Sequence, residues 1–458
     1  MKELLAKAAQ QAVFRVDSWL NVLTGLGDKF RDKLMGAKFT YAEHLDKITL
    51  EELYAGDAMA AKIVDVLPED MCREWIEYHQ SDDAETAKAV ELQLRKIKAQ
   101  EAFEWALKLS RLYGGSCVVL GIDDGRDFIE PLDLKNIRSL SFLNVLDRWQ
   151  IYPDYTALYR DPREPKYGLP ELYYFVPVQH STAVMTRIHE SRLLRFDGVR
   201  LTDRQMLKNL GWGDPILNRL YGAIRNYHSV HDSAATIVSD FAQGVYKLKG
   251  LADLFGQGGD GADQAIMARL MQMDRGRSIV RGLVLDEDES FSKLSTPVAG
   301  LKDLISAAER RLTAETSMTH NRLLGESPGA SLGEGGAAQD RQWYDHVASK
   351  QNTLLREPLE RLILLTLLSK EGPTAGKLPA EWSIEFKSLW QQDEKEAADT
   401  RLAIAQADHL WVQDGVLTSE EVATSHFAGD GFSPDIVLDV EARMLLTDNP
   451  PVPTATAA

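Results

Sequence analysis

Met318-Thr319-His320-Asn321-Arg322-Leu323-Leu324-Gly325-Glu326-Ser327-Pro328-Gly329-Ala330-Ser331-Leu332-Gly333-Glu334-Gly335-Gly336-Ala337-Ala338-Gln339-Asp340-Arg341-Gln342-Trp343-Tyr344 is the stretch on which the reading of this chain turns. It is rich in Gly, Ser and Ala and lies between two segments of helical periodicity. Long loops inside compact proteins are uncommon, and where they occur they tend to carry function. Before it, Leu301, Leu304, Ile305, Ala308, Leu312 and Glu315 recur at helical spacing, predicting a helix over 301–318. After it, Leu354, Leu355, Leu359, Leu362 and Ile363 predict a second helix over 339–370, interrupted at Pro358. An interior proline removes a backbone donor and kinks a helix. Helix, loop and kinked helix is the pattern to be explained.

Working outward, the chain is 458 residues long, more than one hydrophobic core usually serves, so several modules are expected. Hydrophobic residues make up 44% and charged residues 26%, the balance of an ordinary folded protein. No run of apolar residues is long enough to predict a membrane span, and the N-terminus has no signal-peptide core. Cys72 and Cys117 are the two cysteines, too few for a disulfide framework or a Cys-rich zinc site. With 69 acidic against 52 basic residues the net charge is −17, which argues against a protein that grips DNA by its phosphates.

The chain reads as α+β and predominantly helical. Helical spacing covers 51–66, punctuated by Leu67-Pro68-Glu69-Asp70, and then 83–109. Short apolar runs predict strands at 116–122, 139–146, 150–152, 172–178 and 192–196. Asp214 and Pro215 open the clearest helix: aspartate can cap free amides, and proline fits the first helical position. Its apolar stripe runs to about residue 242, roughly 40 Å at 1.5 Å per residue. Strands at 245–249 and 278–285 flank a glycine loop, 256–261, and a helix, 263–273. Residues 387–440 read as helical and charged. Asn449–Ala458, with three prolines, reads as a disordered tail.

Candidate chemistry is thin. Gly325-Glu326-Ser327-Pro328-Gly329 matches the G-x-S-x-G nucleophile elbow, but that motif needs a preceding strand, and Pro328 has no N–H for an oxyanion hole. A soluble hydrolase using Ser327 is the alternative this match leaves open. Gly256 to Gly261 lack the Gly-Lys-Ser/Thr of a phosphate loop. His228 and His231 can share a helix face, yet no third metal ligand is apparent. No catalytic residue, metal ligand or cofactor is expected. Asp286-Glu287-Asp288-Glu289 is a run of four acids, either a solvated turn or a charged ring at a subunit contact or channel rim.

The order of the parts resembles the portal, or head–tail connector, proteins of tailed bacteriophages. Asp17 to Gly27, Tyr54 to Trp75, Arg111-Leu112-Tyr113-Gly114-Gly115-Ser116, Gly211-Trp212-Gly213-Asp214-Pro215 and Gly415 to Val422 carry the resemblance over roughly 15–445. It implies an α/β wing (1–210), a first stem helix (211–243), a small α/β clip (244–297) and a second stem helix (298–320). A tunnel loop (321–338), a kinked helix with wing return (339–390), a crown-like helical region (391–448) and the tail (449–458) would follow. The DNA-facing residues would be Leu324, Gly325, Glu326, Ser327, Pro328, Gly329, Ser331, Gly333, Glu334, Gly335 and Gly336. The resemblance further implies a structural virion protein at one capsid vertex, made in the host cytoplasm, in a ring of about twelve copies. Its partners would be major capsid and scaffold proteins, terminase, head–tail adaptors and double-stranded DNA passing without sequence specificity; no membrane is expected. An acidic channel wall suits a conduit, since it repels phosphates instead of holding them. A non-portal oligomeric scaffold or adaptor is the remaining alternative.

Overall fold

The computed structural model describes residues 45–80, 84–176, 185–239, 242–247, 290–295, 300–325, 334–390 and 394–427. The entry segment 17–27, the insert features between 248 and 289, the acidic run Asp286–Glu289, the loop centre 326–333 and the tail lie outside them. The described part is α+β with helix predominating. The chain divides into two compact units, 1–387 and 388–458.

In the first unit, α1 (Lys47–Gly56) and α2 (Ala58–Arg73) replace the single predicted helix. Asp57 separates them because its carboxylate caps α2, accepting from the amides of Met59 at 3.1 Å and Ala60 at 3.3 Å. β1 (Ile76–Gln80) follows. α3 (Ala84–Lys96) and α4 (Ala99–Tyr113) likewise divide the predicted 83–109 segment, at Lys98 with its left-handed φ of 53°.

The expected punctuation at Pro68 does not occur: α2 runs through it to Arg73. Proline leaves the carbonyl four residues earlier without a helical donor. That carbonyl belongs to Val64, and the guanidinium of Arg111 on α4 supplies the bond, with Nε donating at 3.0 Å and Nη2 reaching the carbonyl of Ile63 at 2.6 Å. Burial of this guanidinium pushes its pKa down to about 10.

β2 (Gly115–Asp123) is buried along all but its last residue and is flanked by β3 (Ser139–Asp147) and, after β4 (Ile151–Pro153), β5 (Leu172–Phe175) and β6 (Thr186–His189), by β7 (Leu193–Asp197). The orders are β3-β2-β7 and β4-β5-β6, antiparallel throughout. Cys117, Val119, Leu146, Ile151, Tyr173, Ile188, Leu193 and Trp212 form the core where the two sheets meet.

Two stretches that carried the resemblance converge here, 114–116 with 211–215. A Cβ on Gly114, whose φ is +86°, would sit 2.5 Å from the Gly213 carbonyl oxygen, and one on Gly115 would collide with the Trp212 ring. Gly198 donates to the Gly114 carbonyl, and Val199 and Asp214 exchange both backbone bonds at 2.9 Å. Asn209 reaches the carbonyls of Trp212 and Gly213, and is itself held by Arg148 at 2.6 Å. Arg195 lies over the Trp212 ring at 4.2 Å. Only glycine permits this approach of three backbone segments.

From this node, after the short α5 (Asp203–Lys208), α6 rises over Ile216–Ser239, about 36 Å by its 24 residues. Asp214 and Pro215 precede it, both buried; the Asp214 carboxylate accepts from the Asn218 side-chain amide at 3.1 and 3.2 Å. β8 (Ala242–Lys247) pairs with β9 (Ser290–Ser295), which ties the far end of α6 to the start of α7 (Leu301–Thr316). The two helices pack together, yet α7 buries Leu312 alone and leaves Leu304 63% exposed.

α8 (His320–Leu324) and α9 (Glu334–Lys350) follow. A π-helical turn, Gln351–Leu355, then joins α9 to α10 (Arg356–Leu368), and β10 (Trp382–Phe386) pairs with β1. The kink expected at Pro358 therefore appears as a π-turn just ahead of it. Arg356 donates to the Gln351 carbonyl five residues back, and Pro358 falls in the first turn of α10, where its missing amide costs little.

The second unit contains α11 (Glu394–Gln413) and α12 (Ser419–Phe427), in place of one helical stretch. Gly415 takes a φ of +72°, and Thr418 and Glu421 form a reciprocal capping box at 2.8 and 3.2 Å.

Candidate functional site

The base of the Gly/Ser-rich loop is built from α8, α9 and α2. α7 ends at Ser317, left-handed at φ 57°, and α8 is closed by Gly325 at φ +82°, whose amide returns to the Asn321 carbonyl at 2.9 Å. The loop predicted for 321–338 is thus shorter. Leu324 belongs to α8, and Glu334, Gly335 and Gly336 lie on the first turn of α9, because the following residues extend the helix back to Glu334. Gly325 is exposed. Glu326, Ser327, Pro328, Gly329, Ser331 and Gly333 lie outside the described residues.

One carboxylate organises both flanks. Asp70, on α2, is 1% exposed. Arg322, four residues ahead of the loop centre, grips it with both arms of its fork: Nη2 to Oδ1 at 2.7 Å and Nε to Oδ2 at 2.9 Å. Trp343, on the far flank, donates its indole N–H to Oδ2 at 2.8 Å, and Arg73 reaches Oδ1 at 3.3 Å. A buried charge is tolerated when it is paired and its lone pairs are filled, as they are here. One residue along, the Met71 carbonyl accepts from Gln351 in the π-turn at 2.8 Å. The flanks also touch directly: the Asn321 amide donates to Gln339 at 3.3 Å, and its side chain to Asp340 at 3.1 Å. His346 stacks on Trp343 at 5.7 Å; burial, then the nearby Lys350 and Arg111 charges, lower its pKa.

Sequence reasoning assigned no role to Asp70, Arg322 or Arg111. The signal was an acid at the stripe position of α2 shared with Ile63 and Leu67, where an apolar residue belongs.

The elbow-like Gly325-Glu326-Ser327-Pro328-Gly329 follows helix α8 and so lacks the strand that a nucleophile elbow needs. His228 Nε2 lies 3.1 Å from Asp57 Oδ2, though outside hydrogen-bonding geometry, and His231 packs on Tyr227 at 4.4 Å. Among the described residues no group of three or more His, Cys, Asp or Glu is placed to hold a metal, and no helix is long and apolar enough to cross a membrane. Cys72 and Cys117 are free and buried; burial raises the pKa of both thiols, that of Cys117 to about 12.

Among curated relatives, two proteins named anti-CBASS protein Acb1 match at 28% identity. The one from Caulobacter sp. (strain RHG1) covers 96% of this chain, which spans 71% of its length; the one from Sphingomonas paeninsulae covers 89%, and the chain spans 64% of it. An uncharacterized protein of Haemophilus influenzae is 25% identical over 82% of each chain. Among solved structures, a chain in the neck of an empty gene transfer agent particle is similar at a TM-score of 0.47 and 15% identity, covering 89% of this chain and 94% of that one. The family model described as phage portal protein matches residues 48–410, running from α1 through most of α11 and taking in the glycine node, the α6/α7 pair and the clamped loop base. The chain belongs to the phage portal protein family.

Proposed function

We propose that this chain is the subunit of a portal ring, about twelve copies closing at one capsid vertex, through which double-stranded DNA is packaged and later ejected. Membership of the phage portal family makes it a structural, virion-associated protein with a portal-type role, not an enzyme. The observation that carries the reading is the family match across 48–410.

On this reading 1–210 forms the wing, α6 and α7 the stem, 244–297 the clip, and 391–448 the crown-like region. The segment between α8 and α9 faces the channel. It contains no Lys or Arg, which keeps its hold on DNA weak. Terminase and head–tail adaptors dock on the ring, capsid and scaffold proteins surround it, and Asp286–Glu289 forms a charged ring at a subunit contact or the channel rim. The relatives named anti-CBASS protein are longer than this chain. What it shares with them is the portal segment, and we assign the activity in their name to the length outside the alignment.

Purified protein imaged by cryo-electron microscopy tests the reading. Rings with an open hole wide enough for duplex DNA support it, and a compact dimer without a channel sinks it. Deleting 325–336 should leave rings intact and impair packaging or retention of DNA; loss of ring formation would count against the loop assignment.

A further inference from the structure

We infer that Asp70 is the positioning residue for the loop, a single buried counter-charge that fixes both flanks together so that neither moves alone. The flanks are 252 and 273 residues away in sequence from Asp70, yet both donate to one carboxylate: Arg322 through two bonds and Trp343 through one. Oδ2 is shared between the two flanks, with the Arg322 Nε at 2.9 Å and the Trp343 Nε1 at 2.8 Å. Withdrawing Arg322 leaves a nearly fully buried carboxylate with only the longer contact from Arg73, whose side chain is 42% exposed, to balance its charge. The cost of that exposure to an apolar surround falls on Trp343 as much as on Arg322, because α2 must shift or hydrate to relieve it. The Gln351 bond to the neighbouring Met71 carbonyl ties the π-turn to the next residue of α2. Both flanks of the loop are therefore held from α2, in addition to the direct bonds that Asn321 makes between them. The consequence for DNA passage rests on the portal reading; the clamp itself does not.

The test is hydrogen exchange, read by mass spectrometry on peptides covering 318–325 and 338–347, in Arg322→Met, Asp70→Asn and Trp343→Phe. Arg322 is 37% exposed, so its replacement should fold even where Asp70→Asn does not. We expect Arg322→Met to speed exchange about tenfold in both peptides, including the flank it does not belong to, while β2 peptides are unchanged. Trp343→Phe, which keeps the ring and loses the N–H, should loosen 318–325 in turn. Adding Trp343→Phe to Arg322→Met should give less than the product of the single effects. Loosening confined to the substituted residue's own flank, or effects that multiply, would overturn the clamp. Rings without a channel would instead overturn the portal reading and leave the exchange result standing.

Discussion

Two helical stretches of this protein meet a proline, and they accommodate it in opposite ways. α2 keeps its course through Pro68 because Arg111, from another helix, donates to the Val64 carbonyl that the proline strands. At Pro358 there is no comparable outside donor among the bonds that the described residues make. The chain inserts a π-turn, with Arg356 bonded to Gln351, and starts a new helix. The contrast teaches that a proline does not dictate a break by itself. It dictates an unfilled carbonyl, and the surroundings decide whether a side chain fills it or the backbone is rewound.

The largest expected effect comes from removing the outside donor. Arg111→Met should cost about 3 kcal/mol in denaturant unfolding, since the Val64 carbonyl loses the donor that replaces Pro68 and the Ile63 carbonyl loses a second, charge-assisted bond. Restoring the amide with Pro68→Ala in that background should recover roughly 1 kcal/mol, because the alanine N–H can donate to the Val64 carbonyl. If the double variant is no more stable than Arg111→Met, the account of α2 is broken.

Next, inserting one alanine after Ala348 should turn the Trp343 end of α9 by about 100° relative to α10 and carry Trp343 off Asp70. The insertion variant is expected to melt roughly 5 °C or more below the parent, with a Trp343→Phe substitution adding little further. An undiminished Trp343→Phe effect would show that the phase of α9 and the clamp are independent.

Pro358→Ala should change stability by under about 1 kcal/mol, since a first-turn position needs no amide partner. A large gain would mean that the π-turn is forced by the proline against the packing of Gln351 on Met71.

Smallest is the pH response of the same region. The lowered pKa of His346 means that, as pH falls through the ordinary value of 6.5, the unfolded chain takes up a proton that the folded one resists. Stability from this group is present above that pH and is lost below it. His189, whose burial lowers its pKa against opposing carboxylates, works in the same sense. Melting temperature should fall between about pH 7.5 and 5.5, less steeply in His346→Phe. An unchanged slope would remove His346 from this account.

Much of the fold was legible in the sequence because the elements announce themselves locally. The β2 run 116–122, the helix opened by Asp214-Pro215 and the helix starting at Leu301 all appear within a few residues of where periodicity put them. The misreadings share one cause. Asp57 and Lys98 end helices through a cap and a left-handed turn inside otherwise continuous apolar stripes. Residues 335–338 are Gly-Gly-Ala-Ala, loop-like by composition, yet they continue α9, whose Gln339 and Asp340 are tied to Asn321. Of the candidate site, the flanking helices were visible. Asp70 was not, because it reads as a turn acid beside Pro68 until α2 is seen to continue.

What the sequence by itself determined is the succession of parts: helices by their apolar spacing, strands by short apolar runs, and glycines at 114, 115 and 213 where no side chain would fit. These follow from interactions within a few residues. Only the tertiary structure decided which side chains complete distant backbones and charges: Arg111 for the carbonyls of α2, and Arg322 and Trp343 for Asp70. Such pairings join residues from 47 to 273 positions apart, and nothing in the local pattern of either partner encodes the other.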